Sequence, residues 1–332
     1  METRKLQVSG HSTYILSLPK EWIKKNEVNK GDNIRLRLQP DGTIILSPAQ
    51  NELKAKEAKL TVTEDSDKLF RKFIGLYLAG YKTIKLRFEG DDGGKAKKSV
   101  KRIIEKFSGL EIVSESNETM TVQDLFDSSL FTPDKAIRRM TLLTISMLND
   151  AILSFETKDN NLAQDVISRD DNVDWLGWLI TRQYNLILQD IALSEKLGIS
   201  QQKGLGYLLI AKSLERIADH TSKIASNSNK SSLNNDLLIS DVKQMANHIS
   251  YLLDVAIKSF YSENFDDANN VLREAKELQN EEEALVKNVV TNSNLDPPET
   301  ISNAFILDSM NRICSYTMEI AEVAINTQYI TD

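Results

Sequence analysis

The chain is poor in the side chains that most often hold transition metals or do nucleophilic chemistry. Among 332 residues there is one cysteine, Cys314, and there are three histidines, His11, His220 and His248. A lone cysteine excludes an internal disulfide and a thiolate metal cluster, and its place among apolar helical positions reads as a buried thiol. No Glu-x-x-His pair occurs, so a di-iron carboxylate oxidase is not indicated, and no histidine stands near Cys314 to activate it. The chain is read as a non-enzyme. No apolar run approaches the roughly 18 residues of a membrane span, and the charged start Met1-Glu-Thr-Arg-Lys lacks the apolar core of a signal peptide, so the expected location is cytoplasmic. Net positive charge is missing too. The formal charge of -7 gives bulk electrostatics no role in nucleic-acid binding, so any such role has to be local.

What is present is acid placed on helices. In Leu214-Glu-Arg-Ile-Ala-Asp-His-Thr-Ser-Lys-Ile-Ala225, the residues Leu214, Ile217, Ala218, Thr221, Ile224 and Ala225 share one helical face, with Glu215 and Asp219 together on its flank. A preceding helix repeats the pattern: Leu162, Val166, Val173, Leu176 and Ile180 form the stripe, Asp170 and Asp174 the flank, and Asp171 points elsewhere. If the stripes pack antiparallel, the four carboxylates meet at one groove and offer oxygen donors to a hard cation. The spacing alone is common, since about seven acidic i,i+4 pairs arise by chance at this acid content. Solvated surface with interhelical salt bridges is therefore the competing reading.

From residue 131 onward the pattern predicts six helices, at 132–156, 160–193, 200–226, 236–261, 265–291 and 298–329. The two halves correspond. Ser154-Phe155 before Lys158-Asp159 matches Ser259-Phe260 before Asn264-Phe265, and Arg216-Ile217 with Lys223-Ile-Ala225 matches Arg312-Ile313 with Glu319-Ile-Ala321. The second half lacks the acids: the alignment sets Gln279 opposite Asp170, Glu283 opposite Asp174, Asn311 opposite Glu215 and Ser315 opposite Asp219, so only the first half is expected to hold metal. The acidic run 281–283 reads as solvated surface.

The first fifty residues alternate in short strands with one helix started by Pro19, and 51–59 reads as a charged connector. Such a unit buries little core and needs a partner chain. Between the connector and the helices, a βαβαββ pattern predicts a small α+β domain. Gly90-Asp-Asp-Gly-Gly94 lacks both phosphate-loop patterns and reads as a turn, and the basic helix from Lys95 to Lys106 reads either as a solvated face or as a contact for DNA or another anionic surface.

Two resemblances sharpen these expectations. Glu215-Arg-Ile-Ala-Asp-His220 and Asp170-Asp-Asn-Val-Asp-Trp-Leu176 resemble the helix signatures of PhoU-type phosphate-signalling proteins, over essentially the whole helical region. Arg4-Lys-Leu-Gln-Val8, Tyr14-Ile-Leu-Ser-Leu-Pro-Lys-Glu-Trp22, Lys30-Gly-Asp32 and Asp41-Gly42 resemble the AbrB/SpoVT family of swapped-hairpin DNA-binding domains. The resemblances imply a mainly α, multidomain protein: an intertwined DNA-binding and dimerisation domain at 1–50, the α+β domain at 58–125, and tandem three-helix bundles at 130–228 and 234–330. They also imply Arg4, Lys5, Gln7, His11, Ser12 and Lys20 as the DNA face, with His11 where that family commonly has glycine. Asp170, Asp174, Glu215 and Asp219 become ligands of Mg, Mn, Fe or Zn. The implied function is a phosphate-responsive regulator of uptake genes. The alternative is a negative regulator that touches the ATPase of the phosphate ABC transporter without binding DNA, in which case Arg4, Lys5 and Lys20 are charges that protect strand edges.

Overall fold

A computed structural model describes residues 2–39, 42–49, 55–62, 66–89, 93–126, 131–228, 236–292 and 297–329. The chain divides into two units, Met1–Lys54 and Ala55–Thr331.

In the first unit β1 (Gln7–Ser9) pairs antiparallel with β2 (Thr13–Ile15). Helix α1 (Lys20–Lys25) follows, capped by Pro19, and β3 (Ile34–Leu38) pairs antiparallel with β4 (Ile44–Pro48). Gly10 and Gly42 take φ of 70° and 81°, left-handed values that suit glycine in tight hairpin turns; Pro40 and Asp41 of the second turn lie outside the described residues. The two hairpins form separate sheets. None of this unit's described residues is buried, and Leu36 and Leu38 remain 71% and 77% exposed.

The second unit begins with β5 (Lys56–Val62), α2 (Ser66–Leu78), β6 (Tyr81–Phe88), α3 (Gly93–Glu105), β7 (Leu110–Glu115) and β8 (Thr119–Asp124). The residues from Lys56 to Lys59, expected in the connector, belong to β5, because Ala58, Leu60 and Val62 alternate inward as a strand does. The sheet order is β5-β6-β8-β7, with β5 parallel to β6 and the other pairs antiparallel. Phe73 and Tyr77 of α2 and Val100 and Ile103 of α3 meet Ile84, Leu86, Met120 and Val122 of the sheet in one core. Of the glycine turn at 90–94, positions 90–92 lie outside the described residues and Gly93 opens α3.

Seven helices follow: α4 (Pro133–Thr157), α5 (Asn160–Gln189), α6 (Ile191–Leu197), α7 (Gln201–Asn227), α8 (Asp236–Ser262), α9 (Phe265–Asn292) and α10 (Pro297–Gln328). The expected helix 160–193 is interrupted: Asp190 leaves helical geometry and its carboxylate accepts from Ala192 N, capping α6. Helices α4, α5 and α7 pack as one group and α8, α9 and α10 as another, with α7 against α10 at the centre. Gly206 permits that approach, since a β-carbon there would lie 3.0 Å from Thr327 and 3.1 Å from the Phe260 ring.

The α+β domain and the helices share one unit because α5 holds them together. The Arg182 guanidinium donates to Asp124 Oδ2 at 2.7 Å, with both side chains 3% exposed. It also bonds the carbonyls of Tyr77 and Tyr81 and stacks 4.6 Å over the Tyr77 ring. One turn either side, Trp178 packs 5.0 Å from Phe107 and Asn185 Nδ2 donates to Leu78 O at 3.0 Å. Removing one partner of a buried, hydrogen-bonded ion pair leaves the other charge uncompensated. Arg182→Ala or Asp124→Ala is expected to cost about 3–5 kcal/mol in denaturant unfolding, and the double change Arg182→Met with Asp124→Leu much less than the two singles together.

A candidate metal centre and a candidate DNA face

Helices α5 and α7 run antiparallel through the stripes the sequence shows. Val166, Val173, Leu176 and Ile180 are buried against Leu214, Ile217, Ala218 and Ile224. Asp159 caps α5 through Asn161 and Leu162, and Ser200 caps α7 through Lys203, which fixes where each helix begins and hence the phase of its acids. The pairing brings Glu215 and Asp219 close enough to act on Asp170 and Asp174. Burial first, and then the charges of Asp174, Asp219, Asp171 and Glu215, push Asp170 up to about 7. Burial, and then Glu215 and Asp219, push Asp174 up to about 6, and Asp219 is raised by burial and Glu215.

The groove is charged but unfinished. Asp170 Oδ1 is buried without a hydrogen-bond partner. Lys212 Nζ reaches Glu215 Oε2 at 2.5 Å, an i,i+3 partner that a reading confined to acidic pairs overlooks. Gly177 makes room for that carboxylate, since a β-carbon there would stand 3.1 Å from Glu215 Oε2. Asp171 does point away, to Lys106 at 2.8 Å. Among the described residues no three acidic, histidine or cysteine side chains are already gathered as a coordination shell. The arrangement is an acidic groove rather than a formed coordination shell. Its oxygen donors fit a hard cation, and the orphaned Asp170 oxygen is the atom that such an ion would satisfy.

In the second repeat three of the four aligned positions carry amide or hydroxyl side chains, Gln279, Asn311 and Ser315. Gln279 Nε2 donates to Asn311 Oδ1 at 3.1 Å and to Ser315 Oγ at 2.8 Å, so the aligned residues do come together. The acid beside them is Glu282, buried and bonded by Asn311 Nδ2 at 2.5 Å, whereas Glu283 is exposed. Glu283, the residue aligned with Asp174, faces solvent, and because Glu282 is buried the acidic run is not wholly solvated surface. Cys314 is buried as expected, its thiol pushed up to about 12 by burial. His248 pairs with Glu274 at 3.0 Å, and His220 lies half-buried with its ring 5.8 Å from Tyr316.

The six candidate DNA residues are all exposed. Gln7 lies on β1, His11 and Ser12 form the β1–β2 turn, Lys20 opens α1, and Arg4 contacts Glu2 before β1. The exposed apolar set on the same hairpins, Val8, Tyr14, Leu36 and Leu38 among them, is what an intertwined second copy would cover.

The raised carboxylates carry a signed pH effect. A carboxyl whose folded pKa exceeds its ordinary 3.8 binds its proton more tightly in the folded state, so its contribution is full below that value and is lost as pH rises through the folded pKa. The stability advantage of Asp170→Asn with Asp174→Asn over the metal-free natural chain should therefore grow between about pH 4 and pH 7 in denaturant titrations. A constant difference would contradict the assigned environment.

The PhoU domain profile matches residues 137–228 and 242–324, more than half of the chain. A profile described as antidote-toxin recognition MazE, bacterial antitoxin, matches residues 7–54, in keeping with an N-terminal domain of the MazE and AbrB kind. No curated protein matches. Among solved structures, PhoU from Pseudomonas aeruginosa superposes with a TM-score of 0.52 at 21% identity, over 59% of this chain and 95% of that one. The phosphate transport system regulatory protein PhoU from Streptococcus pneumoniae gives 0.50 at 18% identity, over 60% of this chain and 96% of that one. At such identities the likeness speaks for the fold.

Proposed function

Because the chain belongs to the PhoU family, we propose that it is a phosphate-responsive regulator whose first unit dimerises and binds DNA near phosphate-uptake genes. In this reading the first helical repeat holds a regulatory cation. The observation that carries it is the union, in one chain, of two PhoU repeats with a MazE/AbrB-like unit that buries none of its described residues by itself. A swapped dimer covers the exposed apolar residues of β1 to β4 and presents two copies of Arg4, Lys5, Gln7, His11, Ser12 and Lys20, which raises DNA affinity by avidity. The cations neutralise phosphates, while Gln7, His11 and Ser12 reach phosphates or base edges.

Asp170, Asp174, Glu215 and Asp219 would hold the metal, with Mg, Mn or Fe favoured by an all-oxygen set and Zn also able to bind it. A bound cation supplies the positive charge that relieves the repulsion among these carboxylates. Lys212 supplies part of it in the free protein. Regulation rather than catalysis is supported by the chemistry present: Cys314 is buried and its thiol held neutral, and the acidic groove has no nucleophile beside a base. The competing reading is contact with the ATPase of a phosphate transporter without DNA. It is favoured by the net charge of -7 and by the likeness to the Streptococcus pneumoniae protein, a phosphate transport system regulatory protein. No described helix is long and apolar enough to cross a membrane, so such a contact would be made from the membrane surface.

Two measurements separate these readings. The full chain should bind duplex DNA from upstream of its host's phosphate-transporter genes more tightly than random DNA, and lose that preference in Arg4→Ala with Lys5→Ala; equal binding to both duplexes would leave the first unit as a dimerisation device. Equilibrium dialysis against Mn(II) should show bound metal lost in Asp174→Ala with Glu215→Ala and weakened in Gly177→Ala, whose added methyl crowds the Glu215 carboxylate. Unchanged stoichiometry in the double variant would remove these residues as ligands.

A further inference from the structure

The α+β domain lies outside both matched segments, yet its helix layer is the basic surface of a chain that is acidic overall. Helix α2 buries Leu69, Phe73 and Tyr77 and leaves Lys68, Arg71 and Lys72 on its exposed side. Helix α3 buries Val100, Ile103 and Ile104 and leaves Lys98, Lys101 and Arg102 exposed. The two helices pack against each other, so both rows belong to one helix layer. Each helix contains one acid, Asp67 in α2 and Glu105 in α3.

Several of the domain's lysines are already engaged. Lys101 pairs with Glu115 at 3.1 Å, Lys106 with Asp171 at 2.8 Å, and Lys97 donates to Ser116 O at 2.6 Å. Arg71, Lys72, Lys98 and Arg102 have no such partner: among the described residues none of them makes an ion pair or a side-chain hydrogen bond. Four exposed cations on two packed helices, without an ion-pair partner among the described residues, are arranged to meet a polyanion.

The rest of the surface decides which polyanion. The large apolar side chains exposed in this domain are Val113 and Leu125, and neither lies on α2 or α3. A helix that docks on a membrane inserts Trp, Phe or Leu from its exposed side, and a protein interface has an apolar or aromatic centre. This face has neither. Long cations spaced along two helices, with no aromatic ring to stack a base, suit the regular phosphates of a duplex backbone. We propose that the α2–α3 face of the α+β domain is a second, sequence-independent DNA contact, which holds the duplex by its phosphates while the first unit supplies selectivity. The proposal rests on the DNA-binding reading above and gives the unmatched domain its task.

The test measures anisotropy of the full chain on the transporter-gene duplex and on a random duplex of equal length, across a salt series. It compares the natural chain with R71Q/K72Q/K98Q/R102Q and with R4A/K5A. The fourfold variant should weaken both duplexes by the same factor, keep their ratio, and make the dependence of log affinity on log salt shallower by up to about 3.6, at ~0.9 for each phosphate no longer neutralised. K98E/R102E, confined to α3, should weaken binding in the same sense and stands in if the fourfold variant melts early. An unchanged salt slope in these variants, with binding lost in R4A/K5A, overturns the proposal and leaves the first-unit reading intact. The reverse result overturns the first-unit reading and supports this one. If the natural chain binds neither duplex, both fall. Loss of binding to anionic vesicles with DNA binding unchanged would make the face a membrane contact and also overturn it.

Discussion

The buried pair between Arg182 and Asp124 is the constraint on which the larger unit turns. A guanidinium taken out of water is tolerated only where its donors are met, and Arg182 meets a carboxylate, two carbonyls and an aromatic ring. That places α5 at the junction of three environments. Its buried stripe builds the helical core, its Arg182 and Asn185 hold the α+β domain, and its Asp170 and Asp174 face α7. A cation that draws the two aspartates toward Glu215 therefore acts on the helix to which the α+β domain is fastened. The exposed Lys106–Asp171 pair adds a second link, worth at most about 1 kcal/mol in water. The acidic groove and the α+β domain thus share one helix.

The two helical repeats solve the same geometric problem with different chemistry. At the interface of α9 with α10, two amides, a hydroxyl and a buried carboxyl bond one another through Gln279, Asn311, Ser315 and Glu282. At the interface of α5 with α7, the corresponding positions hold carboxylates, where burial and the neighbouring acids raise Asp170 and Asp174 and an oxygen of Asp170 is left unbonded. A cluster whose polar groups bond one another needs no ligand, whereas carboxylates that face one another would be relieved by a cation. The fold is duplicated, and among the described residues the two copies differ in chemistry at this place.

How much of this was legible in the sequence depended on the separation of the partners. The acid pairs and their stripe were readable because i,i+4 spacing converts directly to one helix flank, and the repeat was readable from matched words in each half. An unbroken acidic run does not say which member turns inward: one position on a helix is a rotation of about 100°, and it separates buried Glu282 from exposed Glu283. The break at Asp190 was missed because an apolar stripe continues through it into α6; the signal was an acid able to cap a new helix start. Arg182 and Asp124 belong to different elements 58 positions apart, and no local pattern joins them. The basic face was half visible: α3 announced itself as a run of lysines, whereas Arg71 and Lys72 became relevant only when the fold set α2 beside it. The absence of any buried residue among those described in the first unit turned a length-based expectation of a partner chain into a specific apolar surface.

The central claim is that a cation belongs to the first repeat and acts through α5, and amide hydrogen exchange of the full chain with and without Mn(II) tests it most directly. Exchange should slow in the segments of α5 and α7 around Asp170–Asp174 and Glu215–Asp219, together with the residues around Asp124 and Tyr77, and stay unchanged around Gln279 and Asn311. Slowed exchange in α9 and α10, or none anywhere at saturating metal, would contradict it.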